Sequence, residues 1–327
     1  MNKKKLKPYH GIIMIVLSAI LIFIVNPLVF GGLGLTGTLC GELLLLLAAV
    51  LITAAARADF REVFPVHRPH GFTILGTLFM WGATFVSVMA VTMLLTYFFP
   101  EEVYGASAGL SGAIMDASLL MGVLIVSISP AICEEAVFRG VFLSSLKGIR
   151  RKWLVIILVG GIFGAFHGSI WKLIPTAALG MLMTYLVLET GNMLYSCLLH
   201  LINNLVPLLL LTAMKGMYSS MGSYTEVMES ASQMQIPLAS VAVYVLMTAA
   251  APFVFYIGRY FMYRGERGYT GEIFRADNRK TLYILIGITA AIIIVGILMF
   301  AVSFIADQQL FQEIMQESGS VSNGFTL

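Results

Sequence analysis

The stretch "AICEEAVFRG" places Glu134, Glu135 and Arg139 in otherwise apolar sequence, where Ser127, Ser129 and Pro130 interrupt the run before it. A charged side chain at the centre of a bilayer costs ~2.5–3.5 kcal/mol on insertion scales, so three in ten residues need a reason. Adjacent positions on a helix point about 100° apart, so the two glutamates face different surroundings. Glu135 and Arg139 are i,i+4 neighbours and can neutralise each other on one face. Glu134 then needs a partner from another helix. "GGIFGAFHGS" offers His167 and "LLHLINNLVP" offers His200, and of the five histidines only these two fall in apolar segments. Asn204 shares a face with His200 at i+4, with Asn203 a close competitor at i+3. A desolvated carboxylate beside imidazoles and a carboxamide can activate water and steady a developing oxyanion. Each feature alone can be ordinary packing; carboxylate, imidazoles and amide at similar depth on three helices point to one shared site.

The elements that must position these groups are membrane helices. The 327 residues are 59% hydrophobic and 11% charged, with a mean hydropathy of +0.91, far from the roughly 25% charged residues of soluble domains. The chain is read as all-α, a polytopic transmembrane helix bundle of eight to nine spans. Nine segments are expected, roughly 11–30, 37–56, 71–99, 117–148, 153–171, 173–190, 192–213, 237–260 and 281–305; a different arrangement of the weakly separated region 173–213 gives eight. Wholly helical, 117–148 would be about 48 Å long at ~1.5 Å per residue, so it must tilt or kink, with Pro130 the expected kink. Gly160, Gly164 and Gly168 make two overlapping GxxxG steps that would let a neighbouring helix approach His167.

Charge sets the expected orientation. Lys3, Lys4, Lys5 and Lys7 precede the first span, placing the N-terminus in the cytoplasm. Alternation makes 57–70, 149–152, the short 189–191 turn and 261–280 cytoplasmic as well, and all but the short turn are rich in arginine. Glu101, Glu102, Glu226, Glu229, Asp307, Glu313 and Glu317 fall on the opposite side. The first apolar run is too long for a signal-peptide core. Cys40, Cys133 and Cys197 have no spacing that suggests a disulfide or a cysteine-type zinc site. The polar stretch 215–235 reads as an extracytoplasmic connection. Leu310, Phe311, Ile314 and Met315 have the spacing of a helix lying on the membrane interface. No charge pattern calls for nucleic acid; the expected partners are membrane lipid and a membrane-associated peptide or protein.

Together the three clusters, Glu134-Glu135-xxx-Arg139, Phe163-xxx-His167 and His200-xxx-Asn204, resemble the EExxxR, FxxxH and HxxxN/D motifs of the CPBP family, the CAAX proteases and bacteriocin-processing (Abi) proteins. The resemblance covers roughly residues 115–212, so the chain is divided into an N-terminal membrane region 1–114, a catalytic core 115–212 and a C-terminal region 213–327. It implies an intramembrane endopeptidase of the glutamate type, type II CAAX endopeptidase-like, in a bacterial plasma membrane. Glu134 would be the catalytic base, with His167, His200 and Asn204 around the attacked carbonyl and Glu135, Arg139 and Phe163 in support.

Two forms of the chemistry stay open on the residues themselves. His167, His200 and Glu134 could ligate a zinc ion that activates water, although no HExxH motif selects for it. The same side chains could act without a metal. Two other functions compete. Intramembrane Glu and His also build proton relays in transporters, but such folds favour paired halves, and no internal repeat is visible. A non-catalytic immunity-type membrane protein could also retain the fold.

Overall fold

In the computed structural model, residues 4–216, 233, 235–274 and 279–323 are described. The helices are α1 (Pro8–Leu33), α2 (Leu35–Ala55), α3 (Gly71–Phe98), α4 (Pro100–Asp116), α5 (Leu119–Ser145), α6 (Lys152–Ala165), α7 (Ile170–Thr190), α8 (Met193–Ala213), α9 (Leu238–Arg267) and α10 (Arg279–Asn323). Among the described residues there is no strand, and eight helices are long and apolar enough to cross a membrane. The chain is a polytopic helical bundle.

The ninth expected span, 153–171, is the 14-residue α6. At ~1.5 Å per residue it rises about 21 Å, short of the ~30 Å hydrocarbon core. It nevertheless forms a hairpin with α7. Lys152 at its start and Glu189 at the end of α7 are ion-paired, and Arg267 reaches the same carboxylate at 2.9 Å. The hairpin therefore begins and ends on one face of the bundle. That face also gathers other segments read as lying beside the N-terminus. The Lys4 amide donates to the Arg57 carbonyl at 3.1 Å and Met193 N–H to Pro65 O at 2.7 Å, while Lys147 Nζ donates to Glu62 O at 2.8 Å. Glu226, Glu229 and most of 215–235 lie outside the described residues, as does Arg275.

Local sequence explains the joints. Gly191, at φ +66°, ends α7 in the left-handed region that favours glycine, and Asn192 caps α8 by accepting from the Leu194 N–H. Helix α4 is absent from the sequence reading, which treats 100–116 as a connection. Its signals are present: Pro100 in the first turn, followed by Glu101 and Glu102, which suit the positive end of a helix. Instead of an isolated interface helix, the tail continues α10 to Asn323; the side chains of Leu310, Phe311, Ile314 and Met315 are outside the described set.

Helix α5 lies at the centre. Of its membrane window 56% is buried, against 6% in α10, whose Ile294, Ile297, Leu298 and Phe304 stay exposed as a lipid-facing helix should. The expected kink takes another form. Two π-helical stretches, Val123–Ile128 and Ala136–Phe142, flank a short α segment from Ser129 to Glu135. Pro130 stands in the first turn of that segment, so its missing N–H falls where the hydrogen-bond pattern changes.

The α6–α7 contact depends on small residues. A Cβ at Gly164 would lie 2.6 Å from the Leu173 carbonyl oxygen and 2.8 Å from the Ala177 Cβ, and one at Gly160 would meet the Met181 backbone at 2.6 Å. Gly168 does not belong to this row. It lies beyond the helix at φ +66° and turns the chain toward α7. Gly164→Val is expected to destabilise the protein by about 1–3 kcal/mol through overpacking, read as a lower melting temperature in detergent, whereas Gly161→Ala, with nothing within 4 Å of its Cβ, should leave it unchanged.

Candidate active site

The site is built outward from α5. Arg139 Nη1 donates to Glu135 Oε1 at 2.8 Å, and both side chains are fully buried. Arg139 Nη2 donates to Gly180 O of α7 at 3.0 Å, and the guanidinium carbon lies 4.5 Å from the centroid of the Phe163 ring. The ion pair thus ties α5, α6 and α7 together. Its carboxylate has a second task, since His200 Nδ1 lies 3.0 Å from the same Glu135 Oε1. A carboxylate paired with arginine is an acceptor, so His200 carries its proton on Nδ1 and presents Nε2 to the other side.

On that other side is Glu134. Its Oε2 is 3.8 Å from His200 Nε2, too long for a direct hydrogen bond and close enough for one bridging water. The two adjacent glutamates differ in access. The Glu134 side chain keeps 19% of its surface, while that of Glu135 keeps none. One can meet water or substrate; the other is sealed in the protein.

His167 follows the last turn of α6. Its Nδ1–H donates to the Phe163 carbonyl at 3.0 Å, which leaves Nε2 with its lone pair free. The Phe163 ring stands between the imidazoles, its centroid 5.0 Å from that of His167 and 5.6 Å from that of His200, edge-on in both cases. Phe163 is therefore a spacer for both histidines and a platform for Arg139. Asn204 Nδ2 donates to Val126 O at 3.0 Å, a carbonyl in the first π-helical stretch of α5. Asn203 donates to Asn204 Oδ1 at 3.4 Å, so Asn204 is the residue tied to α5 and Asn203 supports it.

One residue of this site escaped the sequence reading. Glu42, on α2 in "GELLLLLAAV", is buried on a helix that packs against the Ser129–Glu135 segment of α5. The available signal was a lone carboxylate in an apolar span, which by its cost alone marks a candidate site.

Among the described residues no three His, Cys, Asp or Glu side chains are grouped to hold an ion, while the Nδ1 bonds of both histidines leave each Nε2 lone pair facing the site. No step below is routed through a metal.

Fold and site define an integral membrane protein with a carboxylate–imidazole centre inside its helical bundle. Residues 116–206 match the family described as type II CAAX prenyl endopeptidase Rce1-like, a protease family. The match contains all three motifs, agrees with the family they resemble and covers less than a third of the chain. No curated protein and no solved structure matches the chain.

Proposed function

We propose that this protein is an intramembrane endopeptidase that hydrolyses a peptide bond of a membrane-associated or lipidated protein, using water activated by Glu134. The observation that carries this reading is the difference between the two glutamates: Glu135 is locked to Arg139 and His200, while Glu134 remains accessible beside the imidazole it helps to frame. In the reaction Glu134 takes a proton from water as the water oxygen bonds to the substrate carbonyl carbon. The water's remaining O–H is shared by the Nε2 lone pairs of His200 and His167, which hold it in line. The second amide N–H of Asn204 stabilises the oxyanion. Collapse of the tetrahedral intermediate breaks the C–N bond, and Glu134 returns its proton to the leaving amine.

A lipidated C-terminal peptide is the substrate class that the family match supports. The arginine-rich face is assigned to the cytoplasm by the positive-inside rule, in a bacterial plasma membrane. Purified protein in lipid nanodiscs should cleave a peptide with a prenylated cysteine near its C-terminus at least about tenfold faster than the same peptide without lipid, as ~0.8 kcal/mol per buried CH₂ would concentrate it at the membrane. His167→Ala should abolish most of that cleavage, and a chelator should leave it unchanged. Equal rates for both peptides would remove the lipid from the reading; loss on chelation with recovery on added zinc would replace the metal-free mechanism.

A further inference from the structure

Beside the start of α1, three segments enclose a cavity of about 550 Å³ that shares no residue with the candidate active site. Its walls are residues 4–8, the α2–α3 link within 58–63, and 144–149 at the end of α5 and just after it. Hydrogen bonds fasten these walls together. The Lys4 N–H donates to Arg57 O at 3.1 Å, Lys147 Nζ donates to Glu62 O at 2.8 Å, and Ser144 Oγ lies 3.4 Å from both Glu62 O and Val63 O. Leu6, Val63 and Leu146 give the cavity a buried apolar lining. Around it stand Lys4, Lys5, Lys7 and Lys147, against the carboxylates of Asp59 and Glu62. Asp59 is engaged in capping, its Oδ1 accepting from the Arg61 N–H at 3.0 Å. Among the described residues the amino groups of Lys4, Lys5 and Lys7 enter no ion pair. Helix α1 begins at Pro8 with no acidic residue in its first turn, so the positive end of its dipole adds to the same field. The cavity therefore favours an anion. A second feature is apolar. From Pro8, residues Ile12, Val16 and Ile20 follow at i,i+4 intervals and all are exposed, a stripe that leads from the cavity along α1 into the membrane. A soluble phosphate would use only the lysines; a phospholipid would use both features.

We propose that this cavity is an interfacial binding site for the phosphate headgroup of an anionic phospholipid, held by Lys5 and Lys7, with an acyl chain lying along Ile12, Val16 and Ile20. The site is on the face assigned to the cytoplasm, where lysines next to a membrane helix attract anionic lipid. A lipid bound there joins the start of α1 and the α2–α3 link to the end of the helix that carries Glu134. The inference goes beyond the protease reading and does not depend on it.

The test needs no substrate. Detergent-solubilised protein is titrated with phosphatidylglycerol and with phosphatidylcholine of the same chains, and bound lipid is read by native mass spectrometry and by the rise in melting temperature that binding produces. Phosphatidylglycerol should bind at least about tenfold more tightly than phosphatidylcholine. The double variant Lys5→Gln with Lys7→Gln should bind it about 25-fold more weakly, at about fivefold per lysine. Its melting temperature without lipid should match that of the wild type, because both side chains are exposed. Arg279→Gln with Lys280→Gln removes two cations at the start of α10 that do not line the cavity, and should bind as the wild type does. Gly148→Glu adds a carboxylate to the cavity wall at a position where a Cβ meets nothing within 4 Å, and should also weaken binding; it decides the matter if the lysine variant does not fold. Equal affinity for the two lipids, or wild-type affinity in the lysine variant, overturns the proposal. Equal losses in the lysine and α10 variants overturn it in favour of a diffuse surface field. Displacement of the lipid by glycerol 3-phosphate at matched concentration overturns the lipid as occupant and assigns the cavity to a soluble phosphate.

Discussion

Glu134→Gln should reduce kcat by about a thousandfold, within the range contributed by a positioned general base. The change replaces one oxygen by an amide nitrogen and keeps the volume, so the bundle should retain its melting temperature. It removes both functions assigned to this side chain, taking the proton from water and returning it to the amine. KM should change little, because the proposed role is in the transition state rather than in substrate binding. Single-turnover cleavage in nanodiscs measures it. Glu135→Gln is the informative comparison. That carboxylate is sealed from water, so its loss acts through His200 and Arg139 and should lower stability as well as rate. Equal kcat for wild type and Glu134→Gln would remove Glu134 as the base and with it the mechanism.

Arg139→Met should be the most destabilising single substitution in the bundle core. The guanidinium neutralises Glu135, donates to Gly180 O and stacks on Phe163. Removing it leaves a buried carboxylate with His200 beside it and no arginine to neutralise it, and breaking a buried pair in this way costs about 3–5 kcal/mol. The double variant Glu135→Leu with Arg139→Met removes both charges and should melt above either single variant. Its activity should stay low, because His200 has lost the acceptor that fixes its proton on Nδ1. Recovery of stability without recovery of rate is the signature of a pair that holds the helices and also orients an imidazole. If the double variant is no more stable than Arg139→Met, the pair is not what makes the arginine necessary.

The two expectations share one physical cause. A charge in an apolar bundle is tolerated only with a partner, so each ionisable group constrains the groups around it. Glu135 constrains Arg139 and His200. On the proposed mechanism the accessible glutamate lies beside an imidazole that is itself buried and fixed, so the site is oriented before substrate arrives.

Membrane character, the number of apolar segments and the helices that carry polar residues were all determined by the sequence, because hydropathy and the cost of intramembrane charge act residue by residue. The same local rules paired Glu135 with Arg139, which are one helical turn apart. The three motifs were legible since each is local in sequence, two within one helix and the third running from Phe163 in α6 to His167 just beyond its end. Other features depended on how helices meet. The π-helical stretches on either side of the Pro130 segment were not legible, and they lie where other helices meet α5, as in the Asn204 bond to Val126 O. Gly168 left the expected GxxxG row because the chain had to turn after only 14 helical residues of α6. The sequence alone also left open which histidine nitrogen faces Glu134, since that is fixed by a hydrogen bond to a residue 65 positions away. Glu42 belongs to the same class. Its position on α2 is written in the chain, but its burial beside the site exists only once α2 packs on the Ser129–Glu135 segment of α5.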